Sequence, residues 1–326
     1  MYGTPDLQGG TAMFDVIVIG GGPAGVVAAL RASEVGASVA LVERGTLGGS
    51  CVNDGCVPLR VLARAARLVR NATQFDDYGL IGAAPAVDFP RMLGKAQQII
   101  QDVHANKQLL DNLSRGGITV FTNAGTARFV DEHTIALADG QQLCAEKFII
   151  CAGGRSRSLD IPGAEHAIGV NDLWSLPALP RAAVIVGASA TGCQLASILA
   201  AFGTQVTLID RSPRILGTAD DLISSEIAEA FGERGITVVT GMEHIEQITR
   251  TDDGLCLHYR HSGQTHQQPA DIVLLAIGWP ANTASLNLEA AGVQTKRGTI
   301  LVDERLQTSA PHIFAAGDVT GLAMLV

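Results

Sequence analysis

The chain has no apolar run approaching the ~18 residues that a membrane-spanning helix requires, and it has no excess of basic charge. Lys and Arg number 23 against 32 Asp and Glu, a net charge of −9, which argues against nucleic acid or an anionic membrane as the main partner. Residues 1–12 lack the basic start and apolar centre of a secretory signal, and the expected location is the cytoplasm; since Met13 stands where such domains often begin, these residues read as a disordered leader or a mis-assigned start. Six cysteines in 326 residues are too few for a disulfide scaffold. Aromatics are scarce at 4%, while Ala, Val, Ile, Leu and Gly dominate, as in a water-soluble α/β protein with room for two cores.

Against that plain background two glycine turns stand out. Phe14 to Ile19 reads as a buried strand running into Gly20-Gly21-Gly22-Pro23-Ala24-Gly25, then a helix to about Val35 and a strand, 38–42, ending at Glu43. In such a turn the first glycine permits the bend, the second lets backbone N–H groups approach a pyrophosphate, and the third lets helix pack on sheet. An acid about 20 residues on accepts ribose hydroxyls. A second copy follows strand 182–186: Gly187-Ala188-Ser189-Ala190-Thr191-Gly192, a helix to about Phe202, and strand 205–209 ending at Asp210. The first glycine and the acid are 23 positions apart in both copies, Gly20 to Glu43 and Gly187 to Asp210. Ser189 in place of the middle glycine crowds the pyrophosphate. Asp210 repels a 2′-phosphate and so favours NAD over NADP, although Arg211 and Arg214 could turn towards one.

Between the two copies lies Gly48-Gly49-Ser50-Cys51-Val52-Asn53-Asp54-Gly55-Cys56-Val57-Pro58, with Cys56 near the start of a helix running to about Ala72. A close pair of cysteines in a reducing compartment is catalytic, metal-binding or an inert core pair. Zinc would need two more ligands that the sequence does not obviously supply. Cys144, Cys151, Cys193 and Cys256 stand alone in apolar segments and read as core residues. Residues 89–115 read as one long amphipathic helix with a solvated polar face, and short strands follow at 118–121, 126–129, 134–137 and 148–151. Strand 272–277 closes the second module. His312 reads as structural, and the strand before Asp318 delivers that acid into a loop.

Together these motifs resemble the pyridine nucleotide–disulfide oxidoreductases. The resemblance implies two Rossmann-like domains: FAD-binding residues 13–157, NAD(P)-binding residues 158–283, and a return to the FAD domain over 284–326. Ile149 to Gly154 looks like the strand into the domain crossover, Leu275 to Thr283 like the segment closing the nicotinamide domain with Trp279 where Arg is usual, and Ala315-Ala316-Gly317-Asp318 like the second FAD motif. By resemblance, FAD is held by the first turn (Gly20, Gly22, Pro23, Ala24, Gly25), by Glu43, Arg44, Gly49, Ser50 and Arg60, and by Gly125, Ala152, Gly153 and Asp318. NAD(P) is held by Gly187, Ala188, Ser189, Ala190, Gly192, Gln194, Asp210, Arg211 and Gly278. Cys56 is then the thiolate facing the flavin and Cys51 the thiol exchanging with a small or protein-bound disulfide, as in dihydrolipoyl dehydrogenase. Mercuric reductase-like and transhydrogenase-like chemistry are the alternatives, and a redox-sensing flavoprotein without turnover is an alternative of another class.

Three departures stand out. Arg60 and Gln194 occupy positions where the family usually has a Lys–Glu pair, which implies an electron-poor flavin of raised potential. Asp54 either raises the Cys51 pKa or points to solvent. The family continues past Val326 with a dimer-forming interface domain, so the chain reads as a fragment of a homodimeric enzyme, the alternative being a naturally short reductase with another partner.

Overall fold

The computed structural model describes residues 12–83 and 85–323, so the expected leader falls outside it apart from Ala12. The chain divides into two compact units, one of residues 1–56, 100–155 and 279–326, the other of residues 57–99 and 156–278.

In the first unit, β1 (Ala12–Ile19), α1 (Pro23–Glu34) and β2 (Val39–Val42) form a parallel β-α-β unit. The short helix α2 (Gly49–Asn53) follows; α3 (Cys56–Ala72), after its first residue, and the first part of α4 (Phe89–Lys107) belong to the second unit, and the end of α4 and α5 (Leu109–Arg115) return to the first. β3 (Thr119–Phe121), β4 (Arg128–Phe129), β5 (Thr134–Ala136) and β6 (Gln142–Ile150) follow. The sheet order is β3-β2-β1-β6-β5-β4, with β3, β2, β1 and β6 parallel and the β6-β5-β4 edge antiparallel.

β1 shows why the strand reads as continuously apolar. Ile17 and Ile19 face one buried cluster with Phe148 and Ile313, while Val18 faces another with Val26 and Leu41. Both faces are covered, as parallel sheets require.

The second unit repeats the plan. β7 (Ile168–Gly169), β8 (Ala182–Val186), α6 (Ala190–Ala201), β9 (Gln205–Ile209), α7 (Asp221–Glu233) and β10 (Thr237–Val239) come first. An antiparallel sheet of β11 (His244–Thr251), β12 (Gly254–His261) and β13 (Gln264–Ala270) leads into β14 (Ile272–Leu275). The parallel sheet runs β10-β9-β8-β14-β7. Leu257 and Tyr259 of β12 pack with Val184 and Val186 on one face, and Leu195 and Leu199 of α6 pack with Ile185 on the other. The chain then forms the hairpin β15 (Thr295–Lys296) and β16 (Thr299–Ile300), and ends on β17 (Ile313–Ala315), which pairs with the second half of β6 in the first unit's sheet.

Two sequence expectations need correction. The helix expected over 89–115 is broken at Gln108, whose left-handed backbone (φ 43°) separates α4 from α5; neither glycine nor proline marks the break. The strand expected over 272–277 ends at Leu275. The antiparallel sheet of β11 to β13 was not expected, although Asp253-Gly254 and Ser262-Gly263 mark its two turns.

Candidate active site

The two glycine turns match hydrogen bond for hydrogen bond. Gly20 N donates to Val42 O, and Gly187 N to Ile209 O, both at 2.8 Å. Cys151 N donates to Ile19 O, and Ala276 N to Val186 O, both at 2.7 Å. Glu43 Oε2 accepts from Gly21 N at 2.6 Å and Oε1 from Gly45 N at 2.8 Å. Asp210 does the same with Ala188 N at 2.5 Å and Ser212 N at 2.7 Å. Each acid therefore fixes its own turn, and its remaining lone pairs are left for hydroxyls of a ligand.

The middle positions are alike too. Gly22 and Ser189 cap their helices with extended backbone, φ −74° and −80°. Any residue adopts that conformation, so Ser189 is tolerated by the second turn and its side chain is exposed. In the first turn a Cβ at Gly22 would find only Gly49 Cα, at 3.7 Å.

A cavity of about 620 Å³ opens above the first turn, within the ~300–1,000 Å³ of small-molecule sites. Gly20, Gly22, Pro23 and Ala24 form its floor; Gly25 is buried beneath it. Glu43 and Arg44 line one side, with Gly125 held by its N–H to Arg44 O. Gly49, Ser50, Cys51 and Cys56 line another, and Ala152, Gly153 and Asp318 complete it. Fourteen of the residues singled out on the flavin side and the dithiol thus line one cavity. Arg60 is not among the lining residues; it is an exposed side chain on α3.

Cys51 sits in α2 and Cys56 is the first residue of α3; both are half-buried. Asp54, between them, is half-buried and also lines the cavity. Burial raises the Asp318 carboxyl above its ordinary value, and it pushes the Cys151 thiol up to about 12, so Cys151 stays protonated. Cys193, buried at the start of α6, is raised to about 11 and donates to Ala188 O.

Gly187, Ala188, Ser189, Ala190 and Gly192 build the second turn, and Asp210 ends β9. Gln194 and Arg211 are exposed, and Gly278 follows β14 with φ +115°. Arg214 is engaged elsewhere: its guanidinium donates to Gly217 O and Ala219 O at 3.1 Å each and pairs with Asp221. His312 donates to or accepts from no catalytic group; its Nε2 lies 2.8 Å from Glu132 O and its ring stacks on His133.

The sequence reading missed Asn282, whose Nδ2 donates to Ala152 O at 3.0 Å and Gly154 O at 2.9 Å, fixing the cavity wall. Its place in the Leu275–Thr283 segment was the available signal. It also missed His104, which no motif marks and which approaches the dithiol helix only through the fold.

A family model described as pyridine nucleotide-disulphide oxidoreductase matches residues 14–326. The chain belongs to this family. It is 34% identical over 310 residues to a mercuric reductase of Staphylococcus aureus, an alignment covering 94% of this chain and 56% of that protein. It is 32% identical over 323 residues to a dihydrolipoyl dehydrogenase of Bacillus subtilis (strain 168), covering 94% and 67%. Among solved structures it is similar to the HOCl-induced flavoprotein disulfide reductase RclA of Escherichia coli, with a TM-score of 0.83, 28% identity, and coverage of 95% and 67%. The chain therefore spans little more than half the length of the mercuric reductase and about two thirds of the other two. As an FAD-dependent pyridine nucleotide oxidoreductase family member it has the expected two-module α/β fold. Among the described residues no helix is long and apolar enough to cross a membrane, and no cluster of three or more His, Cys, Asp or Glu could hold a metal.

Proposed function

We propose that this protein reduces a small or protein-bound disulfide through Cys51 and Cys56, using electrons from NADH, in the manner of dihydrolipoyl dehydrogenase. The carrying observation is that the first glycine turn, its acid and both thiols line one cavity. Relatives named mercuric reductase and dihydrolipoyl dehydrogenase match at nearly equal identity, so the proposal names a substrate class rather than a compound. Family members act on disulfide substrates and are usually homodimers, and a homodimer is proposed for this protein.

The residues fit FAD on structural grounds. Backbone N–H groups at the start of α1 favour a pyrophosphate, and no side chain fills the approach over Gly22. Glu43 can accept ribose hydroxyls, and Asp318 reaches the cavity from the far wall. Bound FAD would supply two-electron relay between nicotinamide and sulfur.

The protein's own contribution is to hold and tune the thiols. Cys56 starts the 17-residue α3, where the helix dipole favours a thiolate. That thiolate is then the group facing the cofactor, and Cys51, on α2, attacks the substrate disulfide to form a mixed disulfide that Cys56 resolves. The proposed role of the second turn is to hold NAD rather than NADP. Support comes from the Asp210 carboxylate, pinned by two amides where a 2′-phosphate would sit, and from Arg214, occupied elsewhere. Arg60 and Gln194, in place of the family's Lys–Glu pair, are proposed to raise the flavin midpoint; R60K/Q194E should lower it.

Anaerobic titration of the FAD-loaded protein with NADH tests the proposal. The wild type should consume more than one NADH per flavin and develop a long-wavelength band that Cys56→Ser removes. Bleaching at one equivalent, identical in wild type, Cys51→Ser and Cys56→Ser, would refute it.

A further inference from the structure

The two thiols stand on different helices joined only by Asp54 and Gly55, so their spacing depends on where α2 is held. One side of α2 is fastened to the glycine turn: Gly48 N donates to Gly21 O at 2.8 Å, and a Cβ on Gly49 would lie 2.8 Å from Gly22 Cα. The other side meets His104, in the last turn of α4. His104 Nε2 lies 2.8 Å from Asn53 Oδ1, a contact between residues 51 positions apart. Asn53 Nδ2 faces the carbonyls of Thr46 and Leu47, at 3.3 Å each, which leaves its oxygen towards the ring. An amide oxygen only accepts, so Nε2 carries the hydrogen and donates. The ring also fills the space left by the missing side chain of Gly48: a Cβ there would sit 3.3 Å from His104 Cε1. The break at Gln108, which ends α4 one turn beyond His104, is part of the same local geometry.

We infer that His104 is a positioning residue for the dithiol, which through Asn53 clamps α2 and thereby sets the equilibrium between the Cys51/Cys56 thiols and their disulfide. The inference rests on the redox reading of the cysteine pair. A disulfide needs its two Cβ atoms within ~3.5–4.5 Å, so a small shift of α2 relative to the start of α3 decides how readily the bond closes. The clamp fixes Cys51 on α2 while Cys56 starts α3, so releasing it changes how freely the two Cβ atoms reach bonding distance. Asn53 lines the cavity, which ties the clamp to the reacting groups rather than to a remote surface.

The test is a glutathione redox titration of the full chain, with the state of Cys51 and Cys56 read by alkylation and mass spectrometry. In this exchange one S–S bond forms in the protein and one breaks in glutathione disulfide, which takes up two electrons and two protons as two thiols. His104→Leu should change the thiol–disulfide equilibrium about fivefold, the worth of one neutral hydrogen bond, or ~20 mV in midpoint. His104→Gln, whose amide can donate from the position of Nε2, should restore the wild-type equilibrium. His104→Asn, polar but too short, should behave like the Leu variant and serves in its place if that variant does not fold. Equal midpoints for wild type, Leu and Asn variants would overturn the inference. A wild type that forms no Cys51–Cys56 disulfide at any poise would overturn the redox reading itself, and the inference with it.

Discussion

Gly25→Ala and Gly22→Ala, one turn of sequence, should separate folding from binding. A Cβ on Gly25 would lie 1.8 Å from Gly20 O and 2.9 Å from Gly20 C, both backbone atoms that cannot rotate away. Carbon contacts are optimal near ~3.5 Å, so α1 must lift from β1 by more than ~1 Å to admit one methyl group. Val26 and Ala29, buried against Val18 and Leu41, lie on the helix face that would lift. Overpacking of this kind costs ~1–3 kcal/mol, and the lost contacts of the lifted helix add to it. The intrinsic helix preference of Ala over Gly returns at most ~1 kcal/mol. The expected net loss is about 2 kcal/mol or more, read as a lower urea midpoint for the ligand-free chain.

Gly22→Ala meets nothing nearer than 3.7 Å and keeps an ordinary backbone angle, so its stability should stay within ~0.5 kcal/mol of wild type. Its FAD affinity, measured by quenching of flavin fluorescence, should fall because the methyl group occupies the pyrophosphate approach. The second turn supplies an internal repeat, since a Cβ on Gly192 would also lie 1.8 Å from a backbone oxygen, that of Gly187. Gly192→Ala should therefore destabilise and Ser189→Gly should not. If Gly25→Ala unfolds at the wild-type midpoint, the close-packing argument is wrong for both turns.

Three further outcomes can be checked. Asp271 accepts from Arg181 N at 2.6 Å and Ala182 N at 3.0 Å and pairs with the exposed Arg181 guanidinium at 2.9 Å. Asp271→Ala should cost about 1.5–3 kcal/mol, mostly from the lost amide bonds. The Arg181 partner lowers the Asp271 pKa, so this stabilisation is present above the unfolded value of 3.8 and disappears as pH falls through the lowered one. Asp318 has the opposite sign: burial raises its pKa, so its contribution is whole below 3.8 and is lost as pH rises through the raised value. Asp318→Asn should stabilise the ligand-free chain at neutral pH, with the gain vanishing in acid, and weaken FAD binding in the same preparation. Gln108→Gly, at φ 43°, should raise the thermal midpoint by removing left-handed strain of about 1 kcal/mol; an unchanged midpoint would show that Gln108 is not strained.

The glycine turns were legible in the sequence because their chemistry is local. A strand, a bend that only glycine makes, a helix start and an acid at a fixed distance all lie within one β-α-β unit, and the hydrogen bonds of Glu43 and Asp210 close inside it. Cys51 and Cys56 stand close together in the chain, on α2 and at the start of α3. The break at Gln108 was not legible, because no residue there favours the left-handed region and the apolar pattern runs on past it. β4 and β7, two residues each, exist only because neighbouring strands complete them.

The sequence by itself determined the family and the two repeated modules, since each is written in contiguous residues whose spacing matches a backbone geometry. The resemblance grouped Asp318 and Gly125 with the first turn, but only the tertiary structure decided that Asn282, far from both along the chain, fixes the wall of the cavity they line with the thiols. It also decided that His104 holds Asn53, and that Arg214 is bonded to Gly217 O, Ala219 O and Asp221. Those assignments depend on which surfaces meet when two faces of a sheet are buried, and no local pattern encodes that meeting.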